Sequence, residues 1–127
     1  MHFYEYVHNM RKTLASDQDR VKMRLNDDKT IDLLHACLGL QTETAELTDM
    51  IKKHIFYGRE IDKVHVIEEM GDIMWYYALV IDTLDLDFNE LLGKNIKKLR
   101  ARYKGGFTET QAKNRDLKKE RKILEDK

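Results

Sequence analysis

The stretch LLHACLGLQTETAELTDMIKKHIFYGREIDKVHVIEEMGDIMWYYALVI, Leu33 to Ile81, decides the fold. It holds two acidic pairs, Glu43-x-x-Glu46 and Glu69-x-x-Asp72, each set within an apolar run. Acids on a solvated helix face are ordinary. Acids placed where a helix should bury itself are not, because an unpaired carboxylate is costly to take out of water.

Helical spacing decides which case applies. Thr30 to about Phe56 reads as one long helix, capped by Asp28 or Thr30 and stopped by Gly58. Arg59 to Asp62 is a connection, and Lys63 to Leu84 is a second helix that Asp62 caps. At about 100° per residue, Ala36, Leu40, Leu47 and Met50 share an arc with Glu43 inside it and Glu46 at its edge. In the second helix Asp72 falls between Leu79 and Tyr76, and Glu69 between Tyr76 and Val80. Three acids interrupt apolar faces and Glu46 borders one. The run Ile73 to Ile81 is apolar nearly all round, the pattern of a helix buried on most sides in a bundle centre or an oligomer interface.

Outward from this pair, Phe3, Val7, Met10 and Leu14 set an amphipathic helix, and Ser16 to Asp28 reads as a loose connection or a short helix. Asp87-Phe88-Asn89-Glu90 has the form of a capping box opening a helix that reaches Tyr103. Gly105-Gly106 breaks it, and Thr108-x-x-Gln111 starts a charged tail, 107–127, that reads as a solvated helix, a docking arm or a disordered segment. There is no internal repeat and no interdomain linker. One domain over 1–127, with its core over about 31–104, is expected: an all-α bundle of four to five helices.

Composition narrows the function. Charged residues make up 36% of the 127, proline is absent, and Lys plus Arg equals Asp plus Glu at 23 each. Zero net charge argues against a protein built to bind nucleic acid or an acidic membrane. A single cysteine, Cys37, read as a core residue, permits no intramolecular disulfide and fits a reducing compartment. No apolar stretch is long enough to span a bilayer, and no signal-peptide core follows Met1. A soluble, cytoplasmic protein is expected.

Two inward carboxylates on each of two antiparallel helices converge, and their mutual repulsion calls for a cation. Mg²⁺ suits an all-oxygen site that shares positions with phosphates. Neither pair contains a histidine, against the Glu-x-x-His of di-iron bundles, and one cysteine rules out a multi-cysteine zinc site. One Glu-x-x-Glu alone would be a solvated face, which is how Glu68 reads; two pairs on consecutive apolar helices are harder to dismiss. On the third helix, Asn95, Lys98 and Arg102 follow i, i+3, i+7 spacing and offer donors to phosphate oxygens, although basic residues in a last turn also suit the helix dipole. His65 shares a face with Glu69 and Asp72, which allows a supporting role. His35 and His54 read as packing or surface residues, and Trp75, Tyr76 and Tyr77 as core.

Gly39-Leu-Gln-Thr-Glu43-Thr-Ala-Glu46-Leu, Ile51-Lys-Lys-His-Ile-Phe-Tyr-Gly58 and Glu68-Glu69-Met-Gly-Asp72-Ile-Met-Trp-Tyr76 resemble the MazG-like nucleotide pyrophosphohydrolases of the all-α NTP pyrophosphatase superfamily. Asn95-x-x-Lys98-Leu-x-x-Arg102-Tyr103 and Gly106-Phe107 extend the likeness over about 31–116, whereas Lys104-Gly105-Gly106 departs from the proline common after the tyrosine in relatives. The resemblance implies Mg²⁺, with Mn²⁺ as a substitute, held by Glu43, Glu46, Glu69 and Asp72. It implies hydrolysis of a nucleoside triphosphate to monophosphate and pyrophosphate, in a homodimer or homotetramer. Asn95, Lys98, Arg102 and Tyr103 would contact substrate, and Glu43 or Glu46 would be the general base. A non-catalytic helical module that binds a nucleotide or a protein is the alternative.

Overall fold

A computed structural model describes residues 1–14 and 17–126. Ser16, where the polar stretch was expected to begin, and Lys127, at the end of the tail, lie outside the described residues. Among the described residues all regular structure is helical, in seven helices rather than four or five. The excess is three short ones of nine residues or fewer: α2 (Gln18–Leu25), α6 (Glu109–Lys113) and α7 (Leu117–Glu125). The others are α1 (Phe3–Arg11), α3 (Asp28–Tyr57), α4 (Lys63–Thr83) and α5 (Phe88–Arg102). Two compact units divide the chain, Met1–Thr83 and Leu84–Lys127. No helix among the described residues is long and apolar enough to cross a membrane.

In the first unit α3 and α4 form a helical hairpin, with α2 against α3. Asp27 caps α3, one residue before the nearer of the two expected caps, Asp28, accepting from the Thr30 N–H at 2.9 Å and the Thr30 hydroxyl at 2.8 Å. Thr30 is thus the residue capped, not the cap. Gly58 ends the helix in the left-handed region at φ 65°, where a side chain would be strained, and its N–H returns to Lys53 O. Asp62 accepts from the Val64 N–H at 2.9 Å and starts α4.

Residues Val66, Glu69, Ile73, Tyr76, Val80 and Thr83, spaced by three and four, are the buried or half-buried row of α4. A second row, Val64, Ile67, Gly71, Met74 and Ala78, is exposed, with Val64 at 76% and Ile67 at 72%. The expectation of a helix buried on most sides is therefore corrected for the isolated chain: α3 can cover only one stripe of α4. Trp75 and Tyr77 are exposed for the same reason, and so is Cys37, on a bare face of α3 rather than in the core. Ala36 and Met50 are the only buried apolar side chains among the described residues.

The second unit is held by charge. Asp87 caps α5, accepting from the Glu90 N–H at 2.7 Å, a contact of a kind worth about 1 kcal/mol. The capping box is only half made, because the Glu90 carboxylate turns forward to Lys94 at 2.6 Å. Gly105 and Gly106, at φ 77° and 114°, turn the chain back, and Thr108 caps α6 through the Gln111 N–H at 3.2 Å. The charged tail is a docked helix. Glu120 of α7, 6% exposed, accepts from Arg102 Nε at 2.8 Å and Nη2 at 2.6 Å, and from Arg115 Nη2 at 2.7 Å.

The Arg102 and Arg115 guanidiniums pull Glu120 down from its ordinary 4.5 to about 2. A carboxyl held low in the folded chain favours folding above its ordinary range, and that contribution disappears as pH falls toward the folded value. The docking of α7 should persist above pH 4.5 and weaken as pH approaches about 2. Glu120→Gln should free α7 at neutral pH, read as lost hydrogen-exchange protection over Leu117–Glu125. Full protection in that variant would show that apolar contacts alone hold the helix.

Candidate metal centre

Glu69 sits in the row of α4 that faces α3 and is only 3% exposed. Its Oε2 is buried, and none of the described residues offers it a hydrogen bond. Its Oε1 lies 3.3 Å from His65 Nε2, one turn earlier on the same helix. Burial raises the Glu69 carboxyl above its ordinary 4.5, the nearby Glu46 carboxylate raises it further, His65 opposes the shift, and Glu43 adds to it. A buried acid surrounded by acids, with an oxygen left over, is an arrangement that could hold a cation.

The four expected ligands do converge, in two overlapping groups that share Glu69. Oxygens of Glu43, Glu69 and Asp72 lie within 4.8 Å of one another, as do ligand atoms of Glu46, His65 and Glu69. Their burial differs from the helical-wheel expectation. Glu69 is buried, Glu43 half-buried, and Glu46 exposed as a rim residue should be, but Asp72 is exposed too. The wheel placed Asp72 inside an apolar arc that α3 does not close over. The group of Glu43, Glu69 and Asp72 fits a hard divalent ion, because it offers carboxylate oxygens only, and Glu69 Oε2 has no hydrogen-bond partner among the described residues.

Each of the two groups contributes residues to a cavity. One, of about 550 Å³, is lined by Glu46, Met50, Lys53, Arg59 and His65 among others. Asp49 binds both Lys52 and Lys53 there, which lowers its carboxyl to about 2, first through Lys52. Arg59 has no ion-pair partner among the described residues. Its backbone is fixed, with its N–H on Lys53 O at 3.4 Å and its carbonyl 2.8 Å from His54 Nδ1. The other cavity, of about 360 Å³, is lined by His35, Glu43, Asp72, Trp75 and Tyr76. His35 meets the edges of Trp75 and Tyr76 at 6.1 and 5.6 Å between centroids, and Trp75 and Tyr76 are 5.0 Å apart. Gly39 makes this wall possible. A Cβ there would fall 2.1 Å from Tyr76 Cζ, so only glycine lets the ring lie on the backbone of α3.

The expected phosphate-contacting residues all lie on or just beyond α5, in the second unit, and do not form one set. Asn95 and Lys98 line a cavity of about 420 Å³ with Leu91 and Leu124. Arg102 points elsewhere, into the Glu120 pair, and its guanidinium carbon is 5.5 Å from the Tyr103 ring centroid. Tyr103 in turn rests on Phe107 at 5.4 Å. Sequence reasoning gave Lys53 and Arg59 no role and His65 only a supporting one. The Ile51-to-Gly58 block that carries Lys53 was a visible signal, but the turn that sets Arg59 beside Glu46 was not.

Comparison with known proteins places this geometry. The family model of the MazG nucleotide pyrophosphohydrolase domain matches residues 32–107, over half of the chain and both acidic pairs. "Gene 37 protein" of Mycobacterium phage L5 is 30% identical over 95 residues, covering 69% of this chain and 81% of that one. No solved structure matches significantly.

Proposed function

The chain belongs to the MazG nucleotide pyrophosphohydrolase family, and from that premise we propose that it hydrolyses nucleoside triphosphates to the monophosphate and pyrophosphate with Mg²⁺. The observation that carries the reading is Glu69: a buried carboxylate with an unpartnered oxygen, ringed by Glu43, Glu46 and Asp72. When bound, the ion would screen phosphate oxygens and make a water acidic enough to attack at neutral pH. Everything else falls to side chains. Glu46, exposed at the lip of the larger cavity, accepts the proton of the attacking water. The new bond forms from that water to phosphorus, the α–β phosphoanhydride bond breaks, and pyrophosphate leaves. Arg59 and Lys53, which line the same cavity as Glu46, offset its charge. Arg102, for which the resemblance implies a substrate contact, is committed to Glu120. Trp75 and Tyr76 provide ring faces suited to a nucleobase.

The test is pyrophosphate release from a panel of ribo- and deoxyribonucleoside triphosphates with Mg²⁺. Turnover of at least one is expected. Glu69→Gln or Asp72→Asn should cut it by roughly a hundredfold or more, at or beyond the loss caused by removing a group that merely supports a metal ligand. Tight nucleotide binding without hydrolysis would favour a binding module instead.

The bare row of α4 supports a second part of the proposal, a homodimer or a homotetramer. Val64, Ile67 and Met74 are more than half exposed on a helix whose other face is already used. A row of this kind at helical spacing suits a second copy of the chain. Ile67→Asp should shift sedimentation toward the monomer. A wild-type chain that sediments as a monomer throughout would contradict the assembly.

A further inference from the structure

His65 presents a second nitrogen that the acidic site alone does not explain. Its Nδ1 is 3.2 Å from Glu68 Oε2. A carboxylate can only accept, so Nδ1 is the donor, and in the neutral ring Nε2 carries the lone pair. That lone pair points at Glu69 Oε1, 3.3 Å away, another acceptor. In that neutral tautomer two acceptors would face each other, and the ligand atoms of Glu46, His65 and Glu69 come within 4.8 Å of one another, close enough to share a cation. Glu69 is also the buried residue whose Oε2 has no partner. Either a proton or a cation must lie between the ring and the acids.

We propose that His65 Nε2 is a direct ligand, with Glu46 and Glu69, to a divalent transition cation of the Mn²⁺ class, beside the all-carboxylate position of Glu43, Glu69 and Asp72. The assignment rests on the reading of the acids as a cation site and deepens it. Glu68 completes the arrangement, because a histidine ligand usually donates its other ring N–H to a carboxylate, which fixes its tautomer and orientation. An imidazole in the set favours Mn²⁺ and later transition ions over Mg²⁺, which prefers oxygen throughout. The two positions therefore differ in kind: one of oxygens only, one with nitrogen.

Pulsed electron paramagnetic resonance on the full chain loaded with Mn²⁺ alone reads this directly. A ¹⁴N modulation from a coordinated imidazole is expected in the wild type and should vanish in His65→Gln, with Mn²⁺ still bound at Glu43, Glu69 and Asp72. Calorimetry on the same variant should show Mn²⁺ affinity at the mixed position falling about 10–100-fold and Mg²⁺ affinity changing far less. Glu68→Gln, an exposed and conservative change, should keep the ¹⁴N signal and weaken Mn²⁺ by about tenfold. Bound Mn²⁺ without nitrogen modulation would make His65 a proton-bearing partner of Glu69 and overturn the assignment while leaving the carboxylate site intact. Modulation that survives in His65→Gln would assign the nitrogen elsewhere, such as His35, which lines a cavity with Glu43 and Asp72, and overturn it too. Failure to bind Mn²⁺ or Mg²⁺ at all would reject the cation site itself.

Discussion

A carboxylate buried between two helices without a full set of partners constrains everything around it. Like charges about 4 Å apart near a protein surface repel by about 4 kcal/mol per pair, so several acids do not gather around a buried one without a reason. At Glu69 the structure gathers them: Glu46 and Glu43 come from α3, and Asp72 from the next turn of α4. The hairpin that brings them together is set by small local devices. Asp27 starts α3, Gly58 ends it in a left-handed turn, and Asp62 restarts the chain as α4.

The same hairpin explains why the isolated chain has so little core. Much of the α3-facing row of α4 is given to Glu69, to Thr83 and to a tyrosine ring lying on Gly39, so it buries little aliphatic surface. The apolar residues that would ordinarily fill a core lie instead on the opposite row. Local choices that weaken a single protomer are expected where a site must be built. They also leave an apolar row of α4 exposed, and in the proposed assembly stability and site formation would rest on the same helix.

How much of this was legible follows from the range of each interaction. The convergence of Glu43, Glu46, Glu69 and Asp72 was visible because two pairs at i, i+3 spacing on consecutive helices need only helical geometry and a tight connection. The exposure of Asp72 was not. A wheel assigns an inside by the company a residue keeps, and it cannot know that only α3 covers α4. Arg102 shows the opposite limit. Its spacing with Asn95 and Lys98 suggested one phosphate-binding edge, but the guanidinium is claimed by Glu120, 18 residues on, a pairing no local pattern reports. Glu68 reads as a solvated residue, and it is exposed in the structure. Only the position of the His65 ring gives it a partner.

The central claim, that Glu69 is buried to hold a divalent cation, is tested most directly by thermal unfolding of the wild type and Glu69→Gln with and without Mg²⁺. Burial raises the Glu69 carboxyl in the folded chain. Its contribution to stability is therefore present below its ordinary range and lost as pH rises through the folded value, so above that value the metal-free wild type carries a destabilising charge. The amide removes that charge, so Glu69→Gln should melt higher than the metal-free wild type. Mg²⁺ should then raise the wild type alone, by about 2.7 kcal/mol at a hundredfold excess over its Kd. A wild type indifferent to Mg²⁺, or a variant stabilised by it equally, would contradict the account.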